Sequence, residues 1–253
     1  MTAVLGFRRR HARRRPAGAE MTVIEHLTEF RRRLFISILA VALGAIVAFV
    51  FSRDVISFLV HYYQHATHGR RDALIFTGPL DAFKVRLTIA AYGGIVLALP
   101  VWLWQLWRFV TPALDRREKR YAIPFLTASL ALFTLGGWLA LLTLTKALAF
   151  LLGIGGPQLQ PLLTADKYLS LVSLMIVAFG LSFEFPVLIM FLLIARVLTT
   201  GQLRHWRRPA IVIIVVFAAV ITPSQDPYSL FAMAIPMYVF YETCILLGRI
   251  LKR

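Results

Sequence analysis

Three glutamates have settings in which a carboxylate can do chemistry, and one of them lies inside a membrane-length apolar run. Glu184 is the only charged residue in the 28 residues from Tyr168 to Ala195. As a helix this run would be about 42 Å long, more than the roughly 30 Å hydrocarbon core of a bilayer. A carboxylate at that depth is costly unless it is paired, hydrated or protonated, so Glu184 is a candidate functional residue.

Two kinds of role fit Glu184. Pro186 follows it closely, and because proline cannot donate to the helix ladder, a kink is predicted beside the acid. The acid is then either a buried group that bonds a neighbouring helix, through Ser182 or a tyrosine, or a functional group. The functional options are a proton or ion site, and a contact for the transmembrane helix of another protein.

Glu29 and Glu118 are acids in arginine-rich stretches of the chain. If they converge in space, their carboxylates can bind a dicationic ligand, because a charged hydrogen bond contributes on the order of 1.5 to 3 kcal/mol. Simpler structural roles are also open. Glu29 can pair with Arg33 one helical turn later, and Glu118 can cap a helix together with Asp115.

The composition indicates a polytopic membrane protein. Of its 253 residues 59% are hydrophobic and only 16% are charged, which is too apolar for an ordinary soluble domain. The net charge of +16 lies in short clusters between apolar runs, whereas a DNA-binding protein collects such charge on one soluble face, so no nucleic-acid partner is predicted.

The sequence favours neither an enzyme nor a cofactor. It contains no nucleophile elbow, phosphate loop or metalloprotease motif. His61, His65 and His68 share one face of a possible helix, but no cysteine or acid cluster completes a metal site there. An interfacial amphipathic turn explains these histidines equally well.

Six membrane helices are predicted in a domain that covers residues 22–250. They lie at about 34–52, 87–107, 121–145, 168–195, 209–221 and 228–248, and the fifth is short for a crossing. A capping box from Thr22 to Glu25 predicts an amphipathic start before the first of them. Residues 1–21 are predicted to be a disordered basic arm, and residues 251–253 a short cytoplasmic tail.

The distribution of positive charge predicts the orientation. With six crossings, 21 of the 28 lysines and arginines lie in the two termini and the segments on their side of the membrane. The positive-inside rule then places both termini in the cytoplasm. A re-entrant hairpin formed by the last two segments would leave the C-terminus on the same side, so this count does not establish six crossings.

Five motifs, in order along residues 22–250, together resemble the TatC family, the multispanning receptor subunits of the twin-arginine protein translocase. They run from His26 to Leu34, from Leu99 to Trp107, from Thr111 to Glu118, from Phe179 to Pro186, and from Thr222 to Glu242. The resemblance implies an all-α integral membrane protein with six transmembrane helices in a cupped bundle, the last two short. It also implies a prokaryotic cytoplasmic membrane as the location.

The resemblance implies roles for particular residues. Glu29 and Glu118 match the acids that receive the paired arginines of a signal peptide, and Arg31 matches a position in the same N-terminal motif. Glu184, beside Pro186, matches the acid associated with partner helices of the TatA and TatB type. Asp81 stands where the family often has glutamate, and no ligand role is assigned to it. A homo-oligomer within the complex is also implied.

The expected function is therefore recognition without covalent chemistry. A folded precursor presents an Arg-Arg signal peptide, the cytoplasmic acids pair with its guanidinium groups, and partner subunits build the passage. An alternative is a proton-coupled small-solute transporter that uses Glu184 as its proton site. A purely structural membrane scaffold, in which neither acid matters beyond stability, is the third class.

Overall fold

The computed structural model describes residues 23–66, 74–110, 122–154 and 163–250. These residues form ten α-helices and no strand. The helices are α1 (Val23–Val50), α2 (Ser52–Ala66), α3 (Asp81–Leu97), α4 (Leu99–Val110), α5 (Ala122–Gly153), α6 (Ala165–Ser182), α7 (Phe185–Ile194), α8 (Thr200–His205), α9 (Arg207–Ile221) and α10 (Pro227–Ile250).

Four stretches of the described chain are long and apolar enough to cross a membrane. They are Ile24–Val50, Ala122–Gly153, Ala165–Ile194 and Pro227–Ile250, and the third of them joins α6 to α7. The bent pair α3 and α4 makes a fifth if it is one crossing. Helix α9 has 15 residues and is therefore only about 22 Å long. The described chain is thus all-helical, with four to five candidate spans.

The second predicted span is broken into two helices. Helix α3 ends at Leu97 and α4 begins at Leu99, with a bend of 50° between them. Pro100 lies in the first turn of α4, where a missing backbone N–H is tolerated, but proline cannot continue a helix that arrives from before it. The bend was not predicted, although Pro100 is its visible cause.

The fourth predicted span is interrupted beside its acid, as expected. Helix α6 ends at Ser182, Glu184 occupies the N-cap position of α7, and Pro186 lies in the first turn of α7. The Pro186 carbonyl accepts a hydrogen bond from the Cys244 thiol of α10 at 3.4 Å. The interruption is therefore packed against a neighbouring helix.

Helix α6 forms the centre of the core. Tyr168, Met175 and Phe179 are at most 1% exposed, and α6 packs against α3 and α5. The Tyr168 hydroxyl donates to the Leu59 carbonyl at 2.7 Å, which satisfies a buried polar group and ties α2 to α6. The core thus holds α2, α3 and α5 around one helix.

Glycines allow α1 and α3 to pack at backbone distance. A Cβ placed on Gly94 would lie 2.7 Å from the Ala45 nitrogen and 2.7 Å from the Val41 carbonyl oxygen. Small residues at a helix interface let two membrane helices approach closely. This contact fixes α1, which carries Glu29, against α3 and its continuation α4.

The last two long helices are joined by polar contacts at one end. Arg207 at the start of α9 pairs with Glu242 of α10 at 2.5 Å, and the Tyr238 hydroxyl donates to the other Glu242 oxygen at 3.1 Å. The Tyr241 hydroxyl donates to the Leu203 carbonyl of α8 at 2.7 Å.

Asp226 caps the N-terminal end of α10. Its carboxylate accepts a hydrogen bond from the Ser229 N–H at 2.9 Å, as its position before Pro227 indicates.

Candidate functional site

Glu29 lies near the start of α1 and is paired within its own helix. The Arg33 guanidinium donates to Glu29 Oε1, and the two side chains are 14% and 21% exposed, respectively. Glu29 Oε2 is buried and has no hydrogen-bond partner in the described part of the chain. Among the described residues, therefore, only one oxygen of this carboxylate has a partner.

The start of α1 is held against the end of α4. The His26 ring stacks on Phe109 with a centroid distance of 4.4 Å, and Phe30 contacts the same ring at 5.4 Å. Arg33 also donates to the Gln105 carbonyl of α4 at 3.4 Å. These contacts hold the start of α1, which includes Glu29, near the C-terminal end of α4.

Of the two other residues predicted to bind the signal peptide, the structure describes Arg31 but not Glu118. Glu118, together with Asp115, lies outside the described residues, so its distance from Glu29 is not defined. Arg31 is exposed on α1. The intrahelical pair of Glu29 with Arg33, one of the two roles that the sequence left open, is present.

Glu184 lines an apolar cavity of about 470 Å³ between α4, α5, α6 and α7. It is the only charged residue among the residues described there, and the others are mainly leucines and aromatic side chains. Trp107 lines the same cavity and stacks on Phe125 of α5 at 4.8 Å. The cavity therefore joins the Trp107 side of α4 to Glu184.

The Glu184 carboxylate is only partly satisfied. Its Oε1 atom is buried and has no hydrogen-bond partner among the described residues. Ser129 of α5 is its side-chain neighbour. The Ser182 hydroxyl, considered from the sequence, instead donates to the Ala178 carbonyl at 2.7 Å. The cavity wall therefore contains a carboxylate with a buried oxygen that has no partner in the described part of the chain.

Sequence reasoning missed Ser129 and the contact from Arg33 to Gln105. Ser129 is one polar residue in a long apolar helix, and nothing in its neighbours along the chain shows that it faces α7. Arg33 was considered only as a partner for Glu29. Both contacts join segments far apart in sequence, and only packing brings them together.

Asp81 has a structural role, and the group of three histidines is described only in part. Asp81 Oδ2 accepts hydrogen bonds from the N–H and hydroxyl of Thr77 at 2.8 and 2.9 Å, and from the Gly78 N–H at 2.8 Å. It therefore closes the turn before α3. No group of three or more metal-ligating side chains occurs in the described residues, and His68 lies outside them.

Comparisons with known proteins agree with the motifs. Residues 25–236 match the family described as Sec-independent protein translocase protein (TatC). The chain is 42% identical over 240 residues to the TatC of Frankia casuarinae, an alignment that covers 91% of this chain and 66% of that protein. It is 40% identical over 236 residues to the TatC of Aquifex aeolicus, covering 92% and 97%, respectively.

Solved structures give the same result. A crystal structure of the twin arginine translocase receptor TatC is 37% identical and matches with a TM-score of 0.73, covering 90% of this chain and all of that one. A second, obtained in DDM, is 40% identical with a TM-score of 0.74, covering 88% and 99%, respectively. The resemblance read from the motifs is thus confirmed, and the chain belongs to the TatC family of Sec-independent protein translocase proteins.

Proposed function

We propose that this chain is the receptor subunit of a twin-arginine translocase and binds the Arg-Arg signal peptides of folded precursor proteins. The observation that carries the proposal is the half-occupied carboxylate of Glu29 at the α1–α4 contact. Arginine suits such a carboxylate because its planar guanidinium can donate two parallel hydrogen bonds. Glu118, which follows α4 in the sequence, supplies the second acid.

The apolar part of the signal peptide has a matching surface. The cavity of about 470 Å³ runs from Trp107 to Glu184 and is lined mostly by leucine and aromatic side chains. Its size falls in the range of roughly 300 to 1,000 Å³ that is typical of ligand sites. The arginines bind at the cytoplasmic acids, Arg31 contributes to the ordering of that surface, and the apolar segment lies along these helices.

The topology that goes with this function has six crossings and both termini in the cytoplasm. Helix α9 is then the short fifth crossing, and the bilayer thins locally to accommodate it. Residues 22–250 form the translocase domain, and the protein lies in the cytoplasmic membrane of a prokaryote. The partners are TatA-like and TatB-like single-span proteins and other copies of this chain, and Glu184 and Pro186 contribute to the partner surface.

Binding of a synthetic signal peptide tests the receptor function. A twin-arginine peptide and its twin-lysine variant are titrated against the full chain in lipid nanodiscs. We expect the twin-lysine peptide to bind at least about tenfold more weakly, since an ammonium cannot reproduce the bidentate pair. Glu118→Gln and Glu29→Gln are each expected to weaken twin-arginine binding and to reduce this preference.

The matched control is Glu242→Gln, which removes an acid that already pairs with Arg207 away from α1. This variant is expected to keep the preference for arginine. Equal affinity for both peptides, unaffected by substitution of Glu29 or Glu118, would contradict the receptor function.

A second candidate function is supported by Glu184, which lines an apolar cavity and has an oxygen without a partner among the described residues. A proton-coupled transporter of small solutes needs an intramembrane carboxylate of this kind. It predicts pH-driven solute uptake by liposomes that contain this chain alone, with uptake abolished by Glu184→Gln. Absence of uptake in the unmodified protein would leave the receptor function as the explanation for the cavity.

A further inference from the structure

We propose that Trp102 is a positioning residue for the signal-peptide site, because its indole fixes the direction of α4 across the bend that follows α3. This inference rests on the proposed receptor function. The Trp102 indole N–H donates to the Ile95 carbonyl at 3.1 Å. Trp102 belongs to α4 and Ile95 to α3, so this hydrogen bond joins the two helices across their 50° bend.

Pro100 creates the need for this donor. In a continuous helix the Ile95 carbonyl would accept from the Leu99 N–H, and the next carbonyl would accept from residue 100, which as a proline has no N–H. After the break, the Trp102 backbone N–H donates to the Ala98 carbonyl at 3.0 Å, so α4 starts a new ladder. Lipid offers no donor to a carbonyl freed in this way, so a group of the protein must supply one. The indole of Trp102 does so.

The direction of α4 matters because this helix carries parts of both surfaces assigned to the signal peptide. Leu103 and Trp107 line the cavity that contains Glu184. Near its C-terminal end, α4 contacts the helix of Glu29 through Phe109. The 12 residues of α4 make it about 18 Å long, so a rotation of about 10° at the bend would move its far end by about 3 Å. The bend angle therefore sets the position of one surface relative to the other.

The indole bond acts at the bend itself. Contacts with α1 and α5 hold α4 from its sides, whereas the indole bond couples α4 directly to α3, which is fixed to α1 at Gly94. Without this bond the arrangement that binds the peptide would be populated for a smaller fraction of the time. The apparent affinity for the peptide falls in proportion to that fraction.

An isosteric replacement of the indole N–H tests the proposal. The amino acid 3-benzothienylalanine has sulfur in place of the N–H group, and it is introduced at position 102 or, as the matched control, at position 104. Trp104 lies two residues further along α4, is 37% exposed and is not among the described residues that line the cavity. If the analogue is incorporated poorly, Trp102→Phe and Trp104→Phe give the same comparison.

The bend is measured by the distance between two spin labels. They are attached to cysteines introduced at Lys84 of α3 and Arg108 of α4, which are both exposed, whereas the native Cys244 is buried. We expect the analogue at position 102 to broaden the distance distribution, because Pro100 still breaks the ladder but the bend is no longer held. The analogue at position 104 is expected to leave the distribution unchanged.

Peptide binding is measured on the unlabelled chain in nanodiscs. We expect the analogue at position 102 to weaken binding of the twin-arginine peptide about two- to fivefold, the effect of losing one hydrogen bond. The preference for arginine over lysine is expected to stay, because the acids are unchanged. At position 104 neither the affinity nor the preference should change.

Three results would overturn the positioning role. The first is an unchanged distance distribution with the analogue at position 102, and the second is a broadened distribution with unchanged peptide affinity. The third is a loss of folded protein without broadening in the fraction that stays folded, as expected of a merely structural residue.

The receptor function and the positioning role can fail separately. If the unmodified chain binds twin-arginine and twin-lysine peptides equally, the receptor function fails and the positioning role fails with it. If the unmodified chain prefers arginine, but removal of the Trp102 N–H changes neither the bend nor the affinity, only the positioning role is overturned.

Discussion

Alanine at position 184 is expected to reduce the binding of a TatA-like single-span helix to this chain about tenfold. The Glu184 carboxylate has a buried oxygen without a partner among the described residues, within an otherwise apolar cavity. We expect a polar group of a partner helix that packs into this cavity to bond the carboxylate, and an interhelical hydrogen bond in a membrane contributes about 1 to 2 kcal/mol. Site-specific crosslinking from position 188, whose leucine is 56% exposed beside the cavity, measures the contact.

Two further variants separate the carboxylate from the shape of the cavity. Glu184→Gln retains an oxygen acceptor and is expected to keep most of the crosslinking. Ser182→Ala removes a hydroxyl from the same cavity, but that hydroxyl already donates to the Ala178 carbonyl, so the partner helix is expected to bind as before. Undiminished crosslinking in the alanine variant of Glu184 would show that this acid does not contact the partner.

Leucine at Gly94 is expected to prevent stable folding of the chain. A single Cβ at this position already meets the backbone of α1 at 2.7 Å, and backbone atoms cannot move aside as a flexible side chain can. Overpacking typically costs about 1 to 3 kcal/mol, so Gly94→Ala should lower thermal stability and Gly94→Leu should lower it further. The remaining folded fraction after heating in detergent, measured by size-exclusion chromatography, reports the effect.

Gly153→Ala is the matched control for this prediction. No described residue lies within 4 Å of a Cβ placed on Gly153, so this substitution creates no clash with the described part of the chain. Alanine also has the better helix propensity, so this variant is expected to be as stable as the unmodified chain or slightly more stable. If Gly94→Ala were as stable as Gly153→Ala, the close approach of α1 and α3 would not contribute to stability.

The family and the helical class were predictable from the sequence because both depend on local features. An apolar run of membrane length indicates a helix whatever its neighbours are. Lipid offers no hydrogen-bond partners, so the backbone N–H and C=O groups must bond within the segment itself. The interruption beside Glu184 was predictable for the same reason, because Pro186 acts on its own turn. The 50° bend at Ala98 also has a local cause, Pro100. It was not predicted because the apolar run continues without a break across it.

In the candidate site, too, the sequence identified some residues, whereas other contacts arise only from packing. Glu29 and Glu184 were identified by charge in unusual surroundings, and the pair of Glu29 with Arg33 follows from their spacing of four residues. The neighbour of Glu184 could not be predicted, since Ser129 reaches it from another helix. The Gln105 carbonyl that holds Arg33 is 72 residues away in the chain and is a backbone atom, so no side-chain pattern reports it.

The sequence by itself determined the membrane class, the family and the identity of the candidate acids. These depend on residue type and short-range spacing, which periodicity and motif order express directly. Only the tertiary structure decided that the Gln105 carbonyl of α4 holds Arg33, and that a cavity extends from Trp107 to Glu184. The physical reason is that helix packing, through contacts such as the one at Gly94, sets distances between segments that the chain order leaves free.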